Sequence, residues 1–247
     1  MSRSIRNILI AVCAIVSSGC LAAAYLTGVS YQKPLTCKSL DITIADSTTN
    51  NFVSREDVRG YLERECGSFA GVRLDSIGLD RIESVLESKS AINSVESFVT
   101  KDGKLNIVVT QRKPAVRFQS RNGGYYADAA GRTFPLQSSY ASYVPVIDGN
   151  IPSVKDTMRI ARLTSMVNYL EGSSKWEGKF VQIGIDDKGN VSLIPREGKE
   201  RFIIGQPQDI EEKAEKMEMY YTHILPEKGS GHYRTVDLRY DGQIVCR

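Results

Sequence analysis

Apolar side chains run almost unbroken through residues 8–29, ILIAVCAIVSSGCLAAAYLTGV, and no charged residue falls between Arg6 and Lys33. Coiled as a helix at about 1.5 Å per residue, that run covers roughly 30 Å of hydrocarbon, which predicts a transmembrane helix over 8–29 behind a short tail, 1–7. Arg3 and Arg6 precede the run, so the positive-inside rule leaves the tail in the cytoplasm and carries everything after Lys33 across the membrane, with Tyr25 and Tyr31 at the outer interface. Two processing signals compete with an uncleaved anchor. Ala22-Ala23-Ala24 has the small-residue pattern of a signal-peptidase site, and Ser17-Ser18-Gly19-Cys20 part of a lipoprotein signal. The apolar run continues past both sites, which favours the anchor.

Beyond the anchor the pattern changes period twice. Leu40, Ile42 and Ile44 alternate with Asp41 and Thr43, as in a half-buried strand. After a polar stretch, Ser54-Arg55-Glu56-Asp57 has the form of a capping box; Val58, Tyr61 and Leu62 then make one apolar face, and Cys66-Gly67 supplies a stop. Leu79, Ile82, Val85 and Leu86 stripe a second helix. Two strand-like runs, 95–101 and 104–112, meet at Asp102-Gly103, a hairpin pair suited to positive φ. The predicted order over 35–112 is β-α-α-β-β.

Residues 113–247 read as short strands around Tyr125-Tyr126 and Val144-Pro145-Val146-Ile147. A helix follows, opened by the box-like Ser153-Val154-Lys155-Asp156 and striped by Ile160, Leu163, Val167 and Leu170. Runs 180–185 and 191–194 flank a turn, 186–190, and 201–204 adds a strand. A last helix should start at Pro207, bury Ile210, Ala214, Met217 and Tyr221, pair Glu212 with Lys216, and end at Pro226. Two final strands are expected within 233–240 and 243–247. The fold class is α+β: one transmembrane helix, a β-α-α-β-β domain, then a mixed β-sheet domain with two helices.

Composition narrows the function classes. The formal net charge is only +3, with one Trp and seven Phe, which is not the basic, aromatic footprint of a nucleic-acid binder. Two His and five scattered Cys give no metal or redox spacing. Cys37, Cys66 and Cys246 lie beyond the anchor; whether Cys37 and Cys66 bond is open. Asp186-Asp187 could be a carboxylate pair, but adjacent residues of an extended chain face opposite ways, and the Gly-Asn behind them reads as a turn. No G-x-S-x-G or phosphate-cradling loop is present. Arg112, Lys113, Arg117 and Arg121 read as a solvated basic edge. The expectation is no enzyme, no cofactor, no metal and no small-molecule substrate.

The segments SREDVRGYLERECG, LDSIGLDRIESVLES, INSVESFV and LNIVVTQRKPAVRF, placed directly after one membrane helix, resemble the POTRA domain of the FtsQ/DivIB cell-division family. The chain departs from that family in its long polar loop after the first strand and in its Asp-Gly hairpin. Tyr126-Ala127-Asp128 with Gly131 and Phe134-Pro135, then Pro145-Val146-Ile147-Asp148-Gly149, resemble the opening of the family's β domain. Residues 236–245, VDLRYDGQIV, resemble its close and are the most specific match. The resemblance implies a non-enzymatic, single-pass inner-membrane scaffold of the bacterial divisome, with its two domains in the periplasm at the division septum. Its β domain would receive an FtsB-like subunit of an FtsB-FtsL pair, possibly beside the septal synthase. The implied contact residues are Arg239, Tyr240, Asp241, Gln243 and Val245, and the expected mode is strand addition to a last-strand edge. The alternative is a POTRA protein of polypeptide transport or outer-membrane assembly, which would need a carboxyl-terminal barrel where this chain carries two amphipathic helices.

Overall fold

The computed structural model describes residues 3–30, 35–137 and 140–247, with side chains in the first stretch from 12 to 25. Helix α1 (Arg3–Ser30) runs through the long apolar stretch. Among the described residues no helix is long and apolar enough to cross a membrane. Tyr31 and Lys33, and the side chains of Arg3 and Arg6, lie outside the described residues.

The first folded unit is the expected β-α-α-β-β module: β1 (Ser39–Ile44), α2 (Arg55–Glu65), α3 (Leu79–Glu87), β2 (Ile92–Val99) and β3 (Lys104–Gln111). Its sheet order is β1-β3-β2, with β1 parallel to β3 and β2 antiparallel to it. A parallel pair needs a long crossover, and here the crossover carries both helices. The capping box forms: Ser54 Oγ accepts from Asp57 N at 3.1 Å, and Asp57 Oδ2 accepts from Ser54 Oγ at 2.7 Å and Ser54 N at 2.9 Å; the last two bonds, the hydroxyl's first, hold the Asp57 carboxyl below its usual range. Val58, Leu62, Ile82 and Leu86 pack on Leu105, Ile107 and Val109, the buried alternate positions of β3.

The polar loop after β1 is held by a residue from the far end of the module. Gln111, fully buried at the end of β3, accepts on Oε1 from Phe52 N (2.7 Å) and Val53 N (2.8 Å). Its Nε2 donates to Asn50 O (2.8 Å) and Asp46 Oδ1 (3.2 Å). One side chain thus satisfies several backbone groups of a loop that has no ladder of its own. It also aims Phe52 at Tyr126, Phe134 and Tyr140, whose rings lie 4.9–5.5 Å apart in edge and stacked contacts.

The second unit is a nine-stranded open sheet ordered β12-β11-β10-β9-β8-β7-β4-β5-β6. Its strands are β4 (Val116–Ser120), β5 (Gly123–Ala127), β6 (Thr133–Pro135), β7 (Val146–Gly149), β8 (Phe180–Ile185), β9 (Val191–Pro195), β10 (Arg201–Gly205), β11 (Thr235–Asp237) and β12 (Val245–Cys246). Helix α4 (Thr157–Glu171) joins the parallel pair β7–β8. Helix α5 (Ile210–Met219), a π-helical turn (Tyr220–Ile224) and α6 (Leu225–Lys228) join the parallel pair β10–β11. Both are crossover connections covering one sheet face, where Phe118, Ile147, Leu163, Leu193, Phe202 and Met217 are buried. Successive residues of β5 divide the work: Tyr125 joins this core and donates to Pro152 O at 2.8 Å, while Tyr126 faces the other way into the aromatic cluster around Phe52.

Several sequence expectations shift. Arg112 is not part of a solvated edge. Its guanidinium is buried, with Nη1 2.8 Å from Asp128 Oδ2, Nε donating to Ser90 O and Nη2 to Ile92 O, so it ties the two units together. Helix α4 begins at Thr157, capped by Asp156 rather than Ser153, whose hydroxyl and carbonyl serve the preceding turn. Helix α5 begins at Ile210 instead of Pro207: Lys213 Nζ donates back to Gln206 O and Gln208 O and holds that segment as a loop. Pro226 lies inside α6, in its first turn, where a missing N–H is harmless, and the run ends at Lys228 before Gly229. The π turn puts Tyr220 in the core and leaves Tyr221 half-buried. The final strands are short because Tyr240 to Gln243 form a turn.

Candidate partner interface

β12 is one open edge of the large sheet. Arg247 N donates to Thr235 O at 2.9 Å and Thr235 N to Arg247 O at 3.0 Å, so these two residues exchange both bonds. Backbone groups in an antiparallel ladder alternate in direction, which turns the N–H and C=O of Cys246, and by the same alternation those of Ile244, away from β11. An unpaired row of this kind is a template for another strand.

The chain entering β12 is built around a buried carboxylate paired to a partly exposed arginine, and a buried lysine. Asp237, at the end of β11, accepts on Oδ1 from Arg239 N (3.2 Å) and Nε (2.9 Å), and on Oδ2 from Nη2 at 2.6 Å. Those donors hold the Asp237 carboxyl below its ordinary range, and the carboxylate pushes the Arg239 guanidinium still higher. The arginine stem crosses Gly205, whose φ is +73°; a Cβ there would lie 2.8 Å from Arg239 Cγ, so only glycine admits this approach. Lys216 of α5 is buried, with Nζ donating to Tyr240 O at 2.8 Å and paired to Glu212 at 2.6 Å. Tyr240 O also accepts from Gln243 N at 3.3 Å, closing the turn.

This framework presents Tyr240 46% exposed, its ring 5.9 Å from the Arg239 guanidinium carbon. Beside the turn and β12 is a groove of about 390 Å³ lined by Glu212, Glu215, Lys216, Met219, Gly242 and Ile244. Met219 is exposed, so the groove combines an apolar wall with two acidic side chains. Of the residues singled out from sequence, Arg239, Tyr240, Asp241 and Gln243 come together in one exposed turn, while half-buried Val245 sits in the edge strand paired to Asp237. Lys216, Gly205 and Ile244 escaped that reading as site residues, whereas Met219, with Met217, Tyr220 and Tyr221, offered an exposed adhesive face beside a core alternative, and is indeed exposed. The Glu212–Lys216 spacing was a visible signal for a helix-face pair, but the burial of Lys216 under Tyr240 was not.

Other residues with chemical potential hold structural posts. Asp186 Oδ1 accepts from Lys188 N and Asn190 N, and Oδ2 from Asn190 Nδ2, so it organises the turn expected there. Asp128 does the same for Ala130 N and Arg132 N while meeting Arg112. Cys37, Cys66 and Cys246 are free thiols, and burial pushes the Cys246 thiol up.

A family model described as FtsQ/DivIB, C-terminal related, matches residues 113–247, the whole of the large-sheet unit with its β12 edge. The chain belongs to the FtsQ/DivIB family. A POTRA-like domain model matches residues 35–110, the β1–β3 module. No curated protein matches the chain. An FtsQ/DivIB-type domain behind a POTRA module makes this a division-related POTRA protein, built from domains of a non-catalytic scaffold type and pointing to protein–protein interaction in the divisome.

Proposed function

We propose that the protein is a bitopic scaffold of the divisome at the bacterial inner membrane. In this reading it has a cytoplasmic tail (1–7), a membrane helix (8–29), a periplasmic POTRA domain (35–112) and a periplasmic β domain (113–247). It acts at the division septum by binding the FtsB-like member of an FtsB-FtsL-like pair, with the septal synthase as a further partner. The observation that carries the reading is the open β12 edge beside an exposed Tyr240 and a partly apolar groove. The incoming strand would bond to the outward groups of Cys246 and Ile244, and its side chains would settle on Tyr240, Arg239, Asp241, Gln243, Val245 and the Met219 wall. The anchor is supported by the uncharged apolar run of residues 8–29 and the arginines before it.

Two variants test it in crosslinked native membranes, with the co-purifying chains identified by mass spectrometry. Tyr240→Ala removes an exposed ring and leaves the buried framework, so recovery of short single-pass coiled-coil proteins should fall with no change in the circular-dichroism spectrum. Cys246→Pro removes an outward N–H, together with a half-buried thiol packed on the core, and should act in the same direction. Undiminished recovery with both variants, or recovery of outer-membrane barrel components instead, would refute the reading.

A further inference from the structure

A second feature lies at the end of the large sheet, away from the groove beside α5. Glu200, immediately before β10, is 2% exposed, and its Oε1 has no hydrogen-bond partner among the described residues. Oε2 accepts the backbone N–H of Lys199, at 2.9 Å. Gly198 makes the burial possible: at φ +113° it brings its Cα so close that a Cβ would lie 2.5 Å from Oε2 and 2.6 Å from Oε1. A buried carboxylate oxygen with nothing to accept is costly, and the loop is shaped around it nonetheless.

The carboxylate belongs to the lining of a pocket of about 400 Å³, formed with Lys179, Pro195, Arg196, Tyr221, Leu225 and Ser230. Tyr221 and Leu225 come from the π turn and the start of α6, and such turns recur where a helix is bent to serve a site. Burial, with the Glu200 charge and a side-chain hydrogen bond to the Glu200 carboxylate adding to it, pushes the Tyr221 phenol up. Two of the chain's own cations also line this pocket. Lys179 Nζ lies over the Tyr221 ring at 4.9 Å, and Arg196 Nε donates to Gly178 O at 3.1 Å. Lys199 contributes its backbone N–H to the carboxylate.

We propose that this pocket takes the ammonium or guanidinium head of a Lys or Arg side chain from a partner polypeptide, which donates to Glu200 Oε1. The Tyr221, Leu225 and Pro195 surfaces are apolar and suit the methylene stem of such a side chain, whose polar head needs a charged acceptor at the bottom. A cation fits better than a neutral donor because the oxygen it meets is ionisable, buried and unpaired.

The single tryptophan, Trp176, reports on the pocket, its ring 6.2 Å from Tyr221. Full-length protein in detergent micelles is titrated with an acetylated, amidated pentapeptide carrying one central lysine among alanines. Its norleucine counterpart and free cadaverine are titrated in parallel. The expected result is a saturable change in Trp176 fluorescence with the lysine peptide. Affinity should be about tenfold weaker for the norleucine peptide, and equally weakened in Glu200→Gln, from the loss of one charge-assisted hydrogen bond. Leu225→Lys, which sets a chain-borne ammonium at the pocket wall, should abolish the response with the thermal midpoint retained, and covers the case of a poorly folding Glu200→Gln. Absence of a saturable response, or equal affinity for the lysine and norleucine peptides, would overturn the proposal. Cadaverine binding as tightly as the peptide would overturn its assignment to a polypeptide.

Discussion

Replacing Gln111 by methionine should release the loop that joins β1 to α2 while leaving the two sheets in place. Methionine keeps the unbranched shape but has no amide. Phe52 N and Val53 N, in residues 3% and 4% exposed, lose their acceptor, and Asn50 O, in a residue 4% exposed, loses its donor. Each buried group left unpaired costs about 1–3 kcal/mol. Burying a thioether in place of an amide returns about 1.5–3 kcal/mol. At mid-range the three groups lose about 6 kcal/mol and the thioether returns about 2, a net loss of about 4 kcal/mol, felt first as local opening of the loop, which speeds amide exchange at Phe52 and Val53 by about two to three orders of magnitude. Hydrogen exchange read by mass spectrometry on the peptide covering these residues measures it. The Tyr140 hydroxyl, which donates to Thr49 O at 2.9 Å, makes the loss of loop order visible at the junction between the units too. Gln111→Glu separates the two halves of the bracket: it keeps an acceptor for both N–H groups but sets a second acceptor against Asn50 O and Asp46. It should therefore protect the amides better than methionine, and more so as the pH falls and the new carboxyl gains a proton to donate. Exchange in Gln111→Met within threefold of the parent would refute the view that this side chain holds the loop.

The other predictions concern two ion pairs, one buried and one partly in water. Arg112→Ala leaves Asp128 near the junction without its cation and frees Ser90 O and Ile92 O, so urea unfolding should show a loss of about 3–5 kcal/mol, most of it absent in an Arg112→Met, Asp128→Asn double variant. The Asp237 carboxyl is lowered by Arg239, so its contribution is complete above the ordinary carboxylate range and disappears as the pH falls through its depressed folded value. Asp237→Asn should accordingly lower the unfolding free energy by about 1–2 kcal/mol at neutral pH, a modest figure because Arg239 is partly in water, and the gap to the parent should close in acid. A pH-independent gap would mean that packing, and not charge, makes the difference.

What could be read from the sequence was local. The Ser54 box, the Asp102-Gly103 hairpin, the stripe of α3 and the alternation of β3 each rest on neighbours within one turn or one pleat, and periodicity displays those directly. The family motif at 236–245 could be quoted from the string itself, but the turn at 240–243 was not foreseen there, where a strand was expected as far as Tyr240. Tertiary structure decided what lay further apart. Gln111 acts on residues nearly sixty positions away, and Arg112, read as a surface charge, becomes the bond between two units because Asp128 and the Ser90 and Ile92 carbonyls converge on it. That Lys216 is buried under Tyr240, that β12 is an open edge, and that Glu200 lies unpaired in a pocket all depend on crossovers that bring α5 and the π turn over the sheet. A hydrophobic pattern records which face of an element is dry. Which polar group meets it there is settled only when the elements pack.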